Sequence, residues 1–256
     1  MKTFNKYAEF YDLLYNDKDY QSEASFVERL LDIHTGSCSH ILEIGCGTGG
    51  HALHLVQHGF HIFGIDISHS MIEVANRRLL ELPQYQQHHL RFEQKDIRTL
   101  DLGIHFSAAI ALFHVMSYLT TDADLNAAIL SVRKHLSVGC PFIFDFWHAP
   151  AVLNDTPKRR EKVTESDKWH IHRITEPVWD KNSETVRVNF RVIASNKNDS
   201  SIRKFQEEHV MRYFNTDTME MFLRNNGFEL VQCGEWLTET KPNSNSFGVY
   251  MVAKAV

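Results

Sequence analysis

Three acids and a run of glycines carry the chemistry legible in this sequence. Ile41-Leu42-Glu43-Ile44-Gly45-Cys46-Gly47-Thr48-Gly49-Gly50 reads as a strand entering a glycine turn that opens a helix. Glycines suit that turn because a side chain would block close approach of the backbone to a ligand, and because they tolerate positive φ. The helix beyond offers unpaired N–H groups to a carboxylate or phosphate. Gly45, Gly47 and Gly50 also fit the G-x-G-x-x-G dinucleotide fingerprint, so the glycines alone do not choose a cofactor. The acids narrow the choice. Glu43 stands inside the strand, where a carboxylate is costly unless partnered. Asp66 ends the next strand, where an acid can accept both ribose hydroxyls. Asp96, in Gln94-Lys95-Asp96-Ile97, follows the third strand. Either aspartate taken alone reads equally well as a strand-end or turn-capping residue.

The elements that must position these groups alternate along the chain. Strands are expected at Ile41–Ile44, His61–Ile65, Leu90–Gln94, Ala108–Phe113 and Pro141–Phe146. Helices follow the glycine turn to about Gln57 and span Ser70–Leu80 and Asp122–His135. Such alternation indicates parallel βαβ units with right-handed crossovers. Ahead of them, Phe26, Val27, Leu30, Leu31 and Ile33 suggest an amphipathic helix that Gly36-Ser37 closes, preceded by an aromatic cluster of Tyr7, Phe10, Tyr11, Tyr15 and Tyr20. After Trp147 the rhythm changes. Residues 150–182 show no helical periodicity, and Val186, Val188, Phe190 and Val192 alternate with polar residues as in a half-buried antiparallel strand. Trp169–Ile174 and Phe205–Phe214 read as further strands. A last helix from Thr216-Asp217 to Asn226-Gly227 precedes strands at Phe228–Cys233 and Phe247–Ala253.

Composition bounds the function. The 256 residues, 43% hydrophobic and 23% charged, suit one large α/β domain with a small appendage, or two compact domains. A net charge of -5 argues against nucleic acid as partner, because phosphate backbones favour a basic footprint. The start MKTFNKYAEFYD has no secretory core, no apolar run is long enough to cross a bilayer, and the four scattered cysteines suit reduced thiols; a cytoplasmic protein without a membrane partner is expected. Of the 16 histidines, His51, His54 and His58 share a helical face, but without a thiolate or carboxylate set they predict no metal.

With the glycine loop, Glu43, Asp66 and Asp96 in this order, the chain resembles the class I S-adenosylmethionine-dependent methyltransferases over about residues 7–147 and 214–254. The resemblance implies a Rossmann-like α/β fold. Its seven-stranded sheet, with the last strand antiparallel, carries helices on both faces, and an antiparallel β insertion follows the fifth strand. It divides the chain into a helical lid (1–38), a cofactor core (39–147), the insertion (148–214) and the C-terminal part of the core (215–256). It also implies a cofactor, S-adenosyl-L-methionine, with Glu43 helping to hold its ammonium end and Asp96 meeting the adenine amino group. Contacts from Tyr11, Gly45, Cys46, Gly47, Asp66, Ile67, Met71, Ile97 and Leu112 complete that set. Tyr7–Tyr15 with Lys18-Asp19-Tyr20, the segment Phe113–Leu119 and the insertion are similar to TDP-3-amino-sugar N-methyltransferases and related enzymes of surface-polysaccharide pathways. There the insertion helps build a sugar-nucleotide pocket and a homodimer interface.

Methyl transfer from a sulfonium needs an in-line nucleophile more than it needs proton transfer. The resemblance puts Tyr15 and Tyr118 beside the acceptor, and His114 is of the residue type best suited to taking a proton near neutral pH. Lys158-Arg159-Arg160 could meet a diphosphate, and Trp147, His148 and Trp179 could wall a sugar or base. The expected activity is N-methylation of a nucleotide-linked amino sugar; O-methylation of a small metabolite and a non-catalytic cofactor-binding module are the alternatives, with an NAD-dependent oxidoreductase more remote. Asp66→Ala and Asp96→Ala should each weaken cofactor binding in calorimetric titrations with S-adenosylhomocysteine; wild-type affinity in both refutes the assignment.

Overall fold

The computed structural model describes residue 4, residues 7–36 and residues 38–256. The first residues of the expected lid (1–3, 5 and 6) and Ser37 of the Gly36-Ser37 stop lie outside the described residues. In chain order the first half holds α1 (Ala8–Leu14), α2 (Tyr20–His34), β1 (His40–Ile44), α3 (Gly50–Leu55), β2 (His61–Asp66), α4 (His69–Leu80), α5 (Gln84–Gln87), β3 (Leu90–Gln94), β4 (Ala108–Ala111) and α6 (Asp122–Lys134). The second half holds β5 (Pro141–His148), α7 (Ala149–Asn154), β6 (Arg160–Glu165), β7 (Trp169–Asp180), β8 (Thr185–Asn196), β9 (Ile202–Phe214), α8 (Thr216–Asn225), β10 (Phe228–Glu235) and β11 (Gly248–Ala255).

The core sheet runs β3-β2-β1-β4-β5-β11-β10, with β11 antiparallel to both neighbours, as expected from the sequence. Its five inner strands, β2, β1, β4, β5 and β11, are buried on both faces and read as near-continuous apolar runs, whereas the edge strands β3 and β10 are partly exposed. Period 2 sends Leu42, Ala109, Phe142 and Phe144 to a layer with Leu125, Ile129 and Val132 of α6 and Met219, Phe222 and Leu223 of α8. Ile41, Ile62, Ala108, Ile110 and Ile143 face the opposite layer, where Phe26, Val27, Leu30 and Leu31 of α2 and Ala52 and Leu55 of α3 pack. Side-chain caps start three of the helices: Asp19 for α2, Ser68 for α4 and Thr121 for α6.

The insertion is a four-stranded antiparallel sheet, β6-β7-β8-β9, joined to the core where β9 pairs in parallel with the end of β5 (Trp147↔Tyr213, His148↔Phe214). Its strands are longer than their apolar cores suggested, and β6, with only Val163 apolar, was invisible to alternation. α7 also falls in a stretch that showed no helical period; six residues are too few to reveal one. β4 stops two residues before Phe113, and β5 continues through Trp147 and His148. Ile33 is 63% exposed and lies outside the buried stripe of α2, its position not belonging to the 26-27-30-31 rhythm. The N-terminal helices divide between two layers. α1 buries Tyr7, Phe10 and Leu14 against Trp169, Ile171, Val192 and Ala194 of the insertion, whereas α2 covers the core sheet.

Phe146 is fully buried at the junction, edge-on to Phe214. Phe146→Ala should cost about 3–5 kcal/mol in urea denaturation, whereas Ile33→Ala should stay within about 0.5 kcal/mol of wild type.

Candidate active site

The carboxyl ends of β1, β2, β4 and β5 open into one cavity of about 1200 Å³, closed on the far side by the insertion sheet. That exceeds the roughly 300–1,000 Å³ of a single-ligand pocket. β1 turns out of the sheet through Gly45, Gly47 and Gly49, all with φ between +54° and +80°. A Cβ on Gly45 would lie 2.5 Å from Val115, while one on Gly47 would point into open space, leaving its backbone bare toward the cavity. Asp66 braces this turn, accepting from Gly47 N–H at 3.0 Å and Ser68 N–H at 2.8 Å. Burial raises its pKa, and these donors oppose that. Asp96 caps a short 3-10 turn at Ile97–Thr99 and is gripped by Arg98, which lowers its pKa; Arg98 reaches on to Asp124 at 2.9 Å. Both aspartates therefore fill their plain structural role and line the cavity as well.

Glu43 behaves as its position foretold. Its carboxyl is buried, Oε2 has no hydrogen-bond partner among the described residues, and Oε1 is 3.8 Å from His51 Nδ1. Burial first, and Asp66 second, push its pKa up to about 8. An orphaned buried oxygen beside a bare glycine turn is the mark of a site that takes a cationic group. His51 spends its other nitrogen on Glu23 at 2.7 Å. Burial opposes ionisation of Glu23, but His51 and Lys18 outweigh it and hold its pKa at about 2. His58 meets Glu28 on another part of that helical face.

Past β4 the chain places two successive non-glycine residues, Phe113 (φ 67°) and His114 (φ 64°), in the left-handed region. Such strain persists only where the surroundings enforce it. The enforcer is Asp145 in β5, fully buried, which accepts the His114 N–H at 3.0 and 3.1 Å. The same carboxylate lies 2.6 Å from His114 Nδ1, at an angle outside hydrogen-bond geometry. The sequence reading missed Asp145, although the argument used for Glu43, an acid inside an apolar strand, applied equally to Pro141–Phe146.

The lid is pinned over the glycine turn. Thr48 donates to Asp12 at 2.6 Å, and Arg78 donates to Asp12, Thr48 O and Thr48 Oγ1. This brings Tyr11 and Tyr15 into the cavity wall with ring centroids 4.8 Å apart. Cys46, Ile67, Met71, Ile97, Leu112, His114 and Tyr118 line the same space.

Of the remaining expected residues, Arg159, His148 and Trp179 lie outside the cavity lining. Lys158 pairs with Asp155 and Arg159 with Glu161, so of that triplet Arg160 alone keeps an unneutralised charge at the cavity. Trp179 turns outward to Tyr213 and is 40% exposed, and His148 is buried against Ser246 O; only Trp147 walls the cavity. The inner face of the insertion supplies what the sequence did not announce. Register places Arg160 and Lys162 opposite Thr175 and Arg173. Arg173 donates to Tyr7 Oη at 3.0 Å, stacks over Tyr15 and Phe190, and leaves Nε unpartnered among the described residues.

A doubly wound sheet with a braced glycine turn, acids at three strand ends and a second wall for an acceptor defines a nucleoside-cofactor transferase. Residues 42–142 match the family model described as a methyltransferase domain. The chain is 30% identical over 210 residues to the dTDP-3-amino-3,4,6-trideoxy-alpha-D-glucopyranose N,N-dimethyltransferase of Streptomyces venezuelae, covering 81% of this chain and 84% of that one. It is 27% identical over 216 residues to the dTDP-3-amino-3,6-dideoxy-alpha-D-glucopyranose N,N-dimethyltransferase of Streptomyces fradiae, covering 83% and 80%. A solved S-adenosylmethionine-dependent methyltransferase from Clostridium acetobutylicum superposes with a TM-score of 0.81 over 98% of both chains at 20% identity. The chain belongs to the class I S-adenosylmethionine-dependent methyltransferases, and its cofactor is S-adenosyl-L-methionine.

The raised Glu43 pKa makes a signed prediction. Its folded value exceeds the ordinary carboxylate value, so folding of the ligand-free protein takes up a proton between about pH 4.5 and 8. This group's contribution is fully present below pH 4.5 and is lost as pH rises through 8. The stability of wild type relative to Glu43→Gln, measured by urea denaturation, should fall across that window; a flat difference contradicts the assignment.

Proposed function

We propose that this methyltransferase N-methylates the amine of a nucleotide-linked amino sugar. The observation that carries the reading is the charge balance of the cavity. Of its six lysines and arginines, Lys95, Arg98, Lys158 and Lys162 meet carboxylates, whereas Arg160 and Arg173 have none within ion-pair distance among the described residues. Arg173, half-buried with its Nε unpartnered, and the exposed Arg160 share one inner face and suit an anion such as a diphosphate. The two relatives named above, which act on dTDP-amino sugars, support the same choice.

S-adenosylmethionine supplies an electrophilic methyl group on a sulfonium. Glu43 would hold its ammonium, Asp66 its ribose hydroxyls and Asp96 its adenine amino group. Gly45 and Gly47 would present backbone, with Cys46, Ile67, Met71, Ile97 and Leu112 as walls. Tyr11 and Tyr15 close this space from the lid, and Tyr15 and Tyr118 border the acceptor. An amine arriving protonated must lose that proton before it attacks. His114 is placed to take it, with Asp145 stabilising the imidazolium that results. Holding the two reactants in one cavity supplies much of the remaining acceleration.

Mass spectrometry of products from paired amino and hydroxy sugar nucleotides tests the reading. Methyl transfer to the amino members supports it, and transfer only to hydroxyls or to none overturns it. For the base, His114→Ala should lower kcat by about 10²–10⁴-fold with cofactor affinity intact and abolish the acidic limb of the pH–rate profile. An unchanged profile removes the proposal.

A further inference from the structure

The wall facing the acceptor pairs Tyr118 with His209, a buried histidine that has no part in the proton transfer assigned to His114. Tyr118 Oη lies 2.8 Å from His209 Nδ1, joining the segment after β4 to the inner face of β9. His209 is 4% exposed and enclosed by Phe4, Tyr7 and Phe190, whose rings stand at 81°, 61° and 73° to the imidazole. Its Nε2 is buried and has no hydrogen-bond partner among the described residues.

Both members are neutral near pH 7. Burial, with the positive Arg173 on β7 acting the same way, pushes the His209 pKa down to about 4. Burial, then Tyr15, Asp66 and Glu207, pushes the Tyr118 phenol well above its ordinary value. Two arrangements of one proton remain. Either the phenol donates to Nδ1 and Nε2 carries N–H, or Nδ1 donates to the phenol and Nε2 carries a lone pair. A phenol O–H is the stronger donor and an imidazole ring nitrogen the stronger acceptor, so the first arrangement is favoured and the ring proton sits on Nε2. Nδ1 is then the acceptor, and the phenol gives its only hydrogen to it.

The direction of that bond matters for an amine nucleophile. A phenol free to donate would bind the amine lone pair, the electron pair that must attack the methyl carbon. A phenol already donating to His209 shows the cavity only oxygen lone pairs, which accept N–H and leave the nitrogen pair free. We propose that His209 is a positioning residue that fixes Tyr118 as a hydrogen-bond acceptor toward the cavity, holding the acceptor amine by its N–H with its lone pair turned to the methyl group. The inference rests on the amine reading above. The nitrogen pair forms the N–C bond, the C–S bond breaks with its electrons staying on sulfur, and the proton lost from nitrogen is the one His114 takes. A primary amine offers two hydrogens to this hold and a secondary amine one, so it serves two successive transfers and no third.

The test is a double-variant cycle on whichever amino sugar nucleotide is turned over, together with imidazole 15N shifts of the S-adenosylhomocysteine-bound protein. His209→Phe keeps the ring and frees the phenol; it should lower kcat by about tenfold or more at unchanged S-adenosylhomocysteine affinity. His209→Asn, whose amide oxygen falls near the Nδ1 position, should restore most of the loss. In a Tyr118→Phe background, His209→Phe should have no further effect, and the 15N shifts should show the proton on Nε2. Multiplicative losses in the double variant mark a purely structural His209 and overturn the proposal, as does a proton on Nδ1. Failure to methylate any amine sinks the amine reading instead, and the 15N shifts register the tautomer regardless of acceptor.

Discussion

Everything at this site depends on β1 pairing in parallel with both of its neighbours. Because β2 and β4 lie on either side of β1, the crossovers leave it in opposite directions, and a crevice opens at its carboxyl end. Parallel pairing forces the carboxyl ends of β2, β4 and β5 to the same edge. Glu43, Asp66, His114 and Asp145, up to about a hundred residues apart in sequence, become neighbours of one cavity for that reason. The left-handed turn at Phe113-His114 and the glycine turn after β1 are the local bends that let the chain leave the sheet without covering its edge.

The second wall is built from different physics. The insertion is held to the core by two residue pairs at the end of β5 and by packing around Phe146 and Phe214. α1 then bridges the halves. On one side Asp12 is tied to Thr48 and Arg78 at the glycine turn; on the other, Lys162 donates to Leu14 O at 2.9 Å and to Asp17 Oδ1 at 2.5 Å. Cofactor turn, lid and acceptor wall are thereby linked through short polar contacts across one helix of seven residues. Opening the cavity to exchange ligands would break contacts of about 1 kcal/mol each rather than disturb the core.

Ionisable groups sort the cavity into regions. Near the glycine turn an acid waits without a counter-ion; on the insertion two guanidinium groups do the same. Between them lie neutral aromatic rings with His114–Asp145 and Tyr118–His209 set among them. A buried acid that ionises readily only beside a cation at one end, and guanidinium groups at the other, suit two ligands of opposite local charge, with a largely apolar middle where desolvation favours transfer between them.

The sequence by itself determined the α/β frame, the glycine turn, the three acids and the antiparallel insertion. These are carried by local signals: apolar runs, period-2 alternation, and glycines where positive φ is needed. It also pointed to Tyr11, Tyr15, His114 and Tyr118, which line the cavity, through the family pattern rather than through any spacing. What it left out was long-range and pairwise. Asp145 partners His114 across 31 residues and His209 partners Tyr118 across 91, and no periodicity encodes who meets whom. The strands that carry Arg173 and His209 were legible, but not that these residues line the cavity, nor that one lacks a counter-ion and the other lacks charge. Those states depend on burial and on neighbours from other strands. The same limit explains Lys158-Arg159-Arg160, a charge run in sequence that side-chain alternation and nearby acids reduce to one cavity-facing arginine.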